Sequence, residues 1–325
     1  MPRRPALCAL ALLLASATAA AAEQPPRAFI ERTLVIAPHR VGQFVLQGSH
    51  YDPAHRFAGV SLRYALPGND ETRIDLFVYP IGQGEVEETL DRGMRDFRAT
   101  LDAAQQAGYY RGLRVAEAVE FDIPLPPPDG GDEPGDAPAG PLQETAAVDD
   151  HSVSDGSGDG ERDEDADAHL AMFATLSGAD RRIDGRMLEL AYEYPGQAQD
   201  EWLPMHSRGY LLYRHLHFFK GRISAAESRI DHAAFAALAD GAMHALVPAV
   251  QAYNIGSCGD TTVHVDLALP EREMGDMLMR QLVAAQVRSE AGNCRARADT
   301  AELSALSRDA EVVVIEYAPG DWLGD

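Results

Sequence analysis

The polar and apolar positions of the chain follow two periods in turn. From Gly59 to Leu66 (GVSLRYAL), Val60, Leu62, Tyr64 and Leu66 alternate with Ser61, Arg63 and Ala65. From Thr72 to Tyr79 (TRIDLFVY), Ile74, Leu76 and Val78 alternate with Arg73, Asp75 and Phe77. A period of two is that of a half-buried strand, because successive side chains leave opposite faces. The turn-forming PGND between the two runs, Pro67 to Asp70, predicts an antiparallel hairpin. Shorter strand patterns precede it at Thr33 to Ala37 and Gln43 to Gln47. From Val86 the period becomes helical: Leu90, Met94, Phe97 and Leu101 share one face, and Gly108 stops the run. Strand character returns from Leu113 to Phe121.

The same order recurs later. Strands are expected at Leu170 to Leu176, Met187 to Tyr194 and Gly209 to Phe219. A helix follows, capped by Asp231, with Phe235, Leu238, Ala242 and Leu246 as its apolar stripe and Pro248 as its end. Strands followed by a helix, twice, suggest two related halves, 27–123 and 169–250. A third unit, 251–325, has strand patterns at Thr262 to Leu267 and Glu311 to Tyr317 and a helix near Glu271 to Glu290. Runs of antiparallel strands separated by single helices predict an α+β fold, with helices packed on the faces of one or more antiparallel sheets. A doubly wound parallel sheet needs strict alternation of strand and helix, which this pattern lacks.

Composition changes the picture at two places. Between Pro124 and Ala168, fourteen carboxylates face the single Arg162, a net thirteen negative charges, and large apolar residues almost vanish. Such a stretch buries too little apolar surface to offset its ordering entropy, so 124–168 reads as a long disordered acidic linker. At the start, Arg3 and Arg4, an apolar run from Ala6 to Ala15 and the small residues Ala20 to Ala22 follow the order of a signal peptide, 1–22. The run is too short to cross a bilayer, and no later segment is long and apolar enough to do so. The expected product is periplasmic or secreted, cleaved near Ala22. It would keep Cys258 and Cys294, which in an oxidising compartment read as a disulfide. Loop-closure entropy assigns such a bond roughly 4 kcal/mol. A formal net charge of -23 argues against nucleic acid and anionic membrane surfaces as partners.

Candidate chemistry is sparse. Asp155, Ser157, Asp159, Glu161 and Asp163 fall at positions 1, 3, 5, 7 and 9 of a twelve-residue calcium loop, with Gly160 at the turn. Ala166, however, stands where a bidentate glutamate belongs, and Arg162 where an apolar residue normally anchors the loop. His215 and His217, two apart in an expected strand, would share one face, and His264 with Asp266 could complete a metal site for a hydrolase. The solvated face of a half-buried strand accommodates both pairs equally well. No nucleophile elbow, phosphate loop or dinucleotide fingerprint is present in the sequence, which leans away from catalysis. No cofactor is implied.

The stretches YDPAHRFAGVSLRY (Tyr51 to Tyr64), RIDLFVYPIG (Arg73 to Gly82) and YLLYRHLHFFKGRIS (Tyr210 to Ser224) resemble an uncharacterised family of exported proteobacterial proteins. The strand and helix order is also loosely similar to the PsbP/Mog1-like sandwich proteins. The resemblance implies a non-catalytic binding or envelope-assembly factor whose partner is an envelope protein or small ligand. Tyr210, Tyr213 and Phe219 are the expected aromatic contacts.

Overall fold

The computed structural model of the chain describes residues 27–125, 182–196, 201–260, 265, 270–299, 301, 304–305 and 307–322. The expected signal peptide, the linker beyond Leu125 and the strand patterns at 170–176 and 262–267, save Val265, lie outside these residues. The strands are β1 (Arg32–Pro38), β2 (Arg40–Val41), β3 (Phe44–Tyr51), β4 (Val60–Leu66), β5 (Asn69–Pro80), β6 (Arg111–Val115), β7 (Val119–Glu120) and β8 (Ile123–Pro124). They continue as β9 (Arg182–Ile183), β10 (Gly185–Pro195), β11 (Trp202–Arg214), β12 (His217–Ala226), β13 (Gln251–Ile255), β14 (Cys294–Arg295) and β15 (Ala310–Glu316). The helices are α1 (Val86–Gln106), α2 (His232–Ala249) and α3 (Glu271–Ala291).

The protein has the α+β fold that the pattern predicts. Its main sheet runs in the order β2-β3-β4-β5-β12-β11-β10-β6, with β7 also paired to β10. The two halves are therefore one sheet: β5 and β12 pair antiparallel at its centre, Asp75 opposite Arg222 and Phe77 opposite Lys220. A smaller sheet, β14-β13-β1-β15, places the amino-terminal strand between strands from the end of the chain. The unit 251–325 is thus built around β1 rather than standing alone. Cys258 and Cys294 lie at disulfide distance beside it, their Cα atoms 5.7 Å apart.

Helices cover opposite faces of the main sheet. On one face α1 buries Leu90, Met94, Phe97 and Leu101, as the helical spacing predicts. Glu85 caps α1 by accepting from the backbone N–H groups of Glu87 and Glu88. Gly93 is required where α1 meets the sheet, because a Cβ there would lie 2.6 Å from Leu211 and Phe218. On the other face α2 is capped by Asp231 and buries Phe235, Ala239, Ala242, Met243 and Leu246. It runs one residue past Pro248, which sits in its last turn rather than ending it. Strand alternation then sorts the sheet residues. Val60, Leu62, Tyr64, Ile74, Leu76, Val78, Tyr210, Leu212, Phe219 and Ile223 belong to the core on the α2 face. Leu188, Leu190, Leu211 and Phe218 belong to the core under α1.

One expected element is corrected. The run Gly209 to Phe219 is not a single strand, because His215 and Leu216 have φ of 53° and 65° and form a two-residue turn joining β11 to β12. Turns of this hand match the twist of a hairpin but favour Asn-Gly, since a Cβ at positive φ costs energy. Tertiary contacts hold this one in place. The Leu216 carbonyl accepts from the backbone N–H groups of Ile81 and Gly82, and the His215 carbonyl accepts from the Asn254 side chain at 3.1 Å.

Candidate functional site

α1 lies over β11, β10 and β6. Beyond it the same sheet face carries the outward-facing residues of β12, β5 and β4, and a cavity of about 260 Å³ opens there. Its lining comes from four adjacent strands and one loop. Asp75 and Phe77 stand on β5, Arg222 and Ser224 on β12, Met205 on β11, Tyr192 and Tyr194 on β10, while Tyr109 and Tyr110 follow α1. Register brings them together: Asp75 is opposite Arg222, Arg73 opposite Ser224, and Tyr192 opposite Met205. Gly209, opposite Arg222 on β11, leaves the space that the Phe97 ring of α1 fills.

Two chemistries meet in this cavity. The first is a set of tyrosines. Tyr110 packs against Tyr192 with ring centroids 4.7 Å apart and against Tyr194 at 6.5 Å, and Tyr109 is 65% exposed at the mouth. The Tyr192 hydroxyl donates to Ser224 Oγ at 3.1 Å, and Ser224 shares a 2.8 Å hydrogen bond with Ser207, so the floor is polar and fixed. The second is a set of cations. The Arg222 guanidinium lies 4.8 Å from the Tyr110 ring centre and 5.4 Å from that of Tyr192, and donates to the Tyr110 hydroxyl. Burial opposes its charge, but Tyr192 and Tyr110 beside it more than offset this and hold its pKa above the ordinary arginine value. Asp75, 7% exposed, accepts from Arg63 Nε at 3.0 Å and from Arg73 Nε, so both exposed guanidiniums are anchored by one carboxylate. Lys220, the only lysine of the chain, shares the face two residues from Arg222 and places its ammonium 4.2 Å from the Phe97 ring centre. Burial, and then Arg222, lower its pKa. A second cavity of about 280 Å³, lined by Ser49, His50, Ser61 and Arg63 among others, adjoins the first at Asp75.

The residues singled out in the sequence lie elsewhere. Tyr210 and Phe219 are fully buried on the α2 face, the Tyr210 hydroxyl donating to Asp240 at 2.6 Å. Tyr213 is half-buried and donates to the Gly82 carbonyl at 2.7 Å. Tyr210 and Phe219 are not surface contacts, because α2 covers the face of the β11–β12 hairpin on which they lie. His215 and His217 are separated by the turn, so they do not project from one strand face. Each is largely enclosed. Burial, with Arg214 and His217 close by, pushes the His215 pKa down to about 3, and burial pushes that of His217 down to about 4. The His217 ring donates from Nδ1 to the His215 carbonyl at 2.7 Å, and its Nε2 has no partner. Their expected partners His264 and Asp266 lie outside the described residues, as do Asp155, Ser157, Asp159, Glu161 and Asp163. Among the described residues, no three His, Cys, Asp or Glu side chains cluster as metal ligands do.

The cavity residues left little trace in the sequence. Arg73, Asp75 and Phe77 appear there only as the polar phase of a strand, and Tyr192, Met205 and Arg222 sit in separate runs up to 149 positions from Arg73. The one usable signal is the Arg73, Asp75, Phe77 phase of the strand, which mixes charge with an aromatic ring. No family model, curated protein or solved structure matches the chain.

Proposed function

We propose that this is an exported, non-catalytic binding protein whose ligand occupies the tyrosine-lined cavity on the α1 face. The carrying observation is that cavity: aromatic walls, a hydrogen-bonded serine floor and charged groups converge on a concave surface set on the rigid centre of a sheet. Its side chains bind and orient. Arginines, tyrosines held by neighbours and a carboxylate anchored by two guanidiniums supply the hydrogen-bond donors and aromatic faces that hold a ligand. Export rests on the arrangement of Arg3, Arg4 and the apolar run after them, and it agrees with Cys258 and Cys294 standing at disulfide distance.

The reading is tested by mass. The mature protein is incubated with a fractionated envelope extract, re-isolated and weighed under native conditions, alongside Tyr192→Ala. Wild type should return with an added small mass that the variant lacks. Return without any added mass, or with the same mass on both proteins, overturns the binding role of the cavity. Expression in the source cell followed by amino-terminal sequencing should give Glu23 as the first residue. A chain that retains its first residues in the envelope fraction would overturn the export reading.

A further inference from the structure

The charge of the cavity is opposite in sign to that of the protein. The whole chain has a formal net charge of -23, yet the charged residues lining this cavity are Arg73, Arg222 and one acid, Asp75. Arg63 holds the same carboxylate from the adjoining depression, and Lys220 stands on the same face beside Arg222. Four cations are therefore gathered around one carboxylate. Both of its oxygens already accept from Arg63 and Arg73.

Arg222 is the member that needs explaining. A guanidinium has five N–H donors in a planar fork. Here it is half-buried and its hydrogen bonds go to the phenol oxygens of Tyr110 and Tyr192. Among the described residues no carboxylate oxygen lies within ion-pair distance of it. Placing a charge in such a setting without a counter-ion is costly, and protein interiors normally answer it with a paired acid. The flanking tyrosines favour the charge, with cation–π attraction worth about 0.5–2 kcal/mol, but they supply no acidic oxygen for the remaining N–H donors. The donors that remain suit the oxygens of a carboxylate, phosphate or sulfonate.

The tyrosines set the other half of the ligand. Tyr110 packs directly on Tyr192 and Tyr194, at ring-centre distances of 4.7 and 6.5 Å, so the three join into one aromatic wall of the cavity against which a single planar group can lie. At about 260 Å³ the cavity is smaller than the roughly 300–1,000 Å³ of sites for drug-sized molecules, so it accommodates a single ring with its acidic group.

We infer that the cavity receives a small organic anion, with its acidic group on Arg222 and Arg73 and its planar ring against Tyr110, Tyr192 and Tyr194. This rests on the binding role proposed above and adds the chemical class of the ligand. Lys220 and Arg63 raise the local positive potential and draw the anion to the mouth.

The test is calorimetric titration of the full mature protein with three probes: phenyl phosphate, phenol and inorganic phosphate. Phenyl phosphate should bind one to one and at least tenfold more tightly than either of the others, since only it carries both groups. Arg222→Gln should weaken it tenfold or more. Arg73→Gln, at an exposed side chain, should weaken it severalfold. Arg40→Gln, on an exposed strand away from the cavity, should leave it unchanged. Phenol binding as tightly as phenyl phosphate, with loss in Tyr192→Ala, would overturn the anion and leave the binding role standing. Equal binding by both arginine variants, or inorganic phosphate binding as tightly as phenyl phosphate, overturns the inference. So does the absence of heat with all three probes, while an added mass from the envelope extract would still uphold the binding role.

Discussion

Arg208 and Arg222 occupy neighbouring strands of one sheet and differ in what meets them. Arg208, on the α2 face, is paired by Asp240 of α2, whose two carboxylate oxygens each lie 2.7 Å from Nη1, and Tyr210 donates to the same carboxylate. Arg222, on the α1 face, meets two tyrosine rings and their phenol oxygens. The closed face answers its cation with an acid from the covering helix. The open face leaves its cation facing a cavity. Two partly buried arginines thus mark structure in one case and a site in the other, and the distinction lies in the partner rather than in the residue.

The largest effect is expected from pH on the closed face. His217 is neutral in the fold, with a pKa near 4 against 6.5 when unfolded, so the unfolded state takes up the proton first. Stability is then fully present above pH 6.5, falls as pH drops below it, and finishes falling near pH 4. The loss should be about 3 kcal/mol from this residue, read as a drop in urea midpoint between pH 7 and 4. His217→Gln should remove its part of that slope and leave the part due to His215, whose pKa is pushed lower still, to about 3; an unchanged slope would show that His217 is not held neutral. Next in size, Asp240→Ala should cost about 2–3 kcal/mol, because it leaves Arg208 enclosed without its acid. Smallest, Arg222→Gln should change stability by about 1 kcal/mol or less, as it removes a stacked cation with no acid to orphan. Equal losses for the last two variants would erase the distinction between the faces.

Much of the architecture could be read from particular residues. Leu90, Met94, Phe97 and Leu101 announce α1, Asp231 announces the start of α2, and the alternation of Val60 to Leu66 and Ile74 to Val78 announces the β4–β5 hairpin. These are local patterns, each set by a repeat of two or 3.6 residues. The β11–β12 turn escaped detection because His215-Leu216 carries none of the usual turn chemistry. Its positive φ values are imposed by Ile81, Gly82 and Asn254, which are remote in sequence. Tyr210 and Phe219 read as surface aromatics for the same reason: without the hairpin, nothing in the local sequence indicates that α2 closes over them.

The sequence alone determined the α+β class, the caps and faces of α1 and α2, and the strong negative charge, because each follows from neighbours along the chain or from a simple count. Only the tertiary structure decided that the two halves share one sheet through β5 and β12, that β1 sits between β13 and β15, and that Arg208 finds an acid while Arg222 does not. Those outcomes depend on strand register. Asp75 meets Arg222, and Arg73 meets Ser224, across 147 and 151 positions of chain. A shift of one residue in that register would turn the cations to the opposite face, beneath α2, and dissolve the cavity.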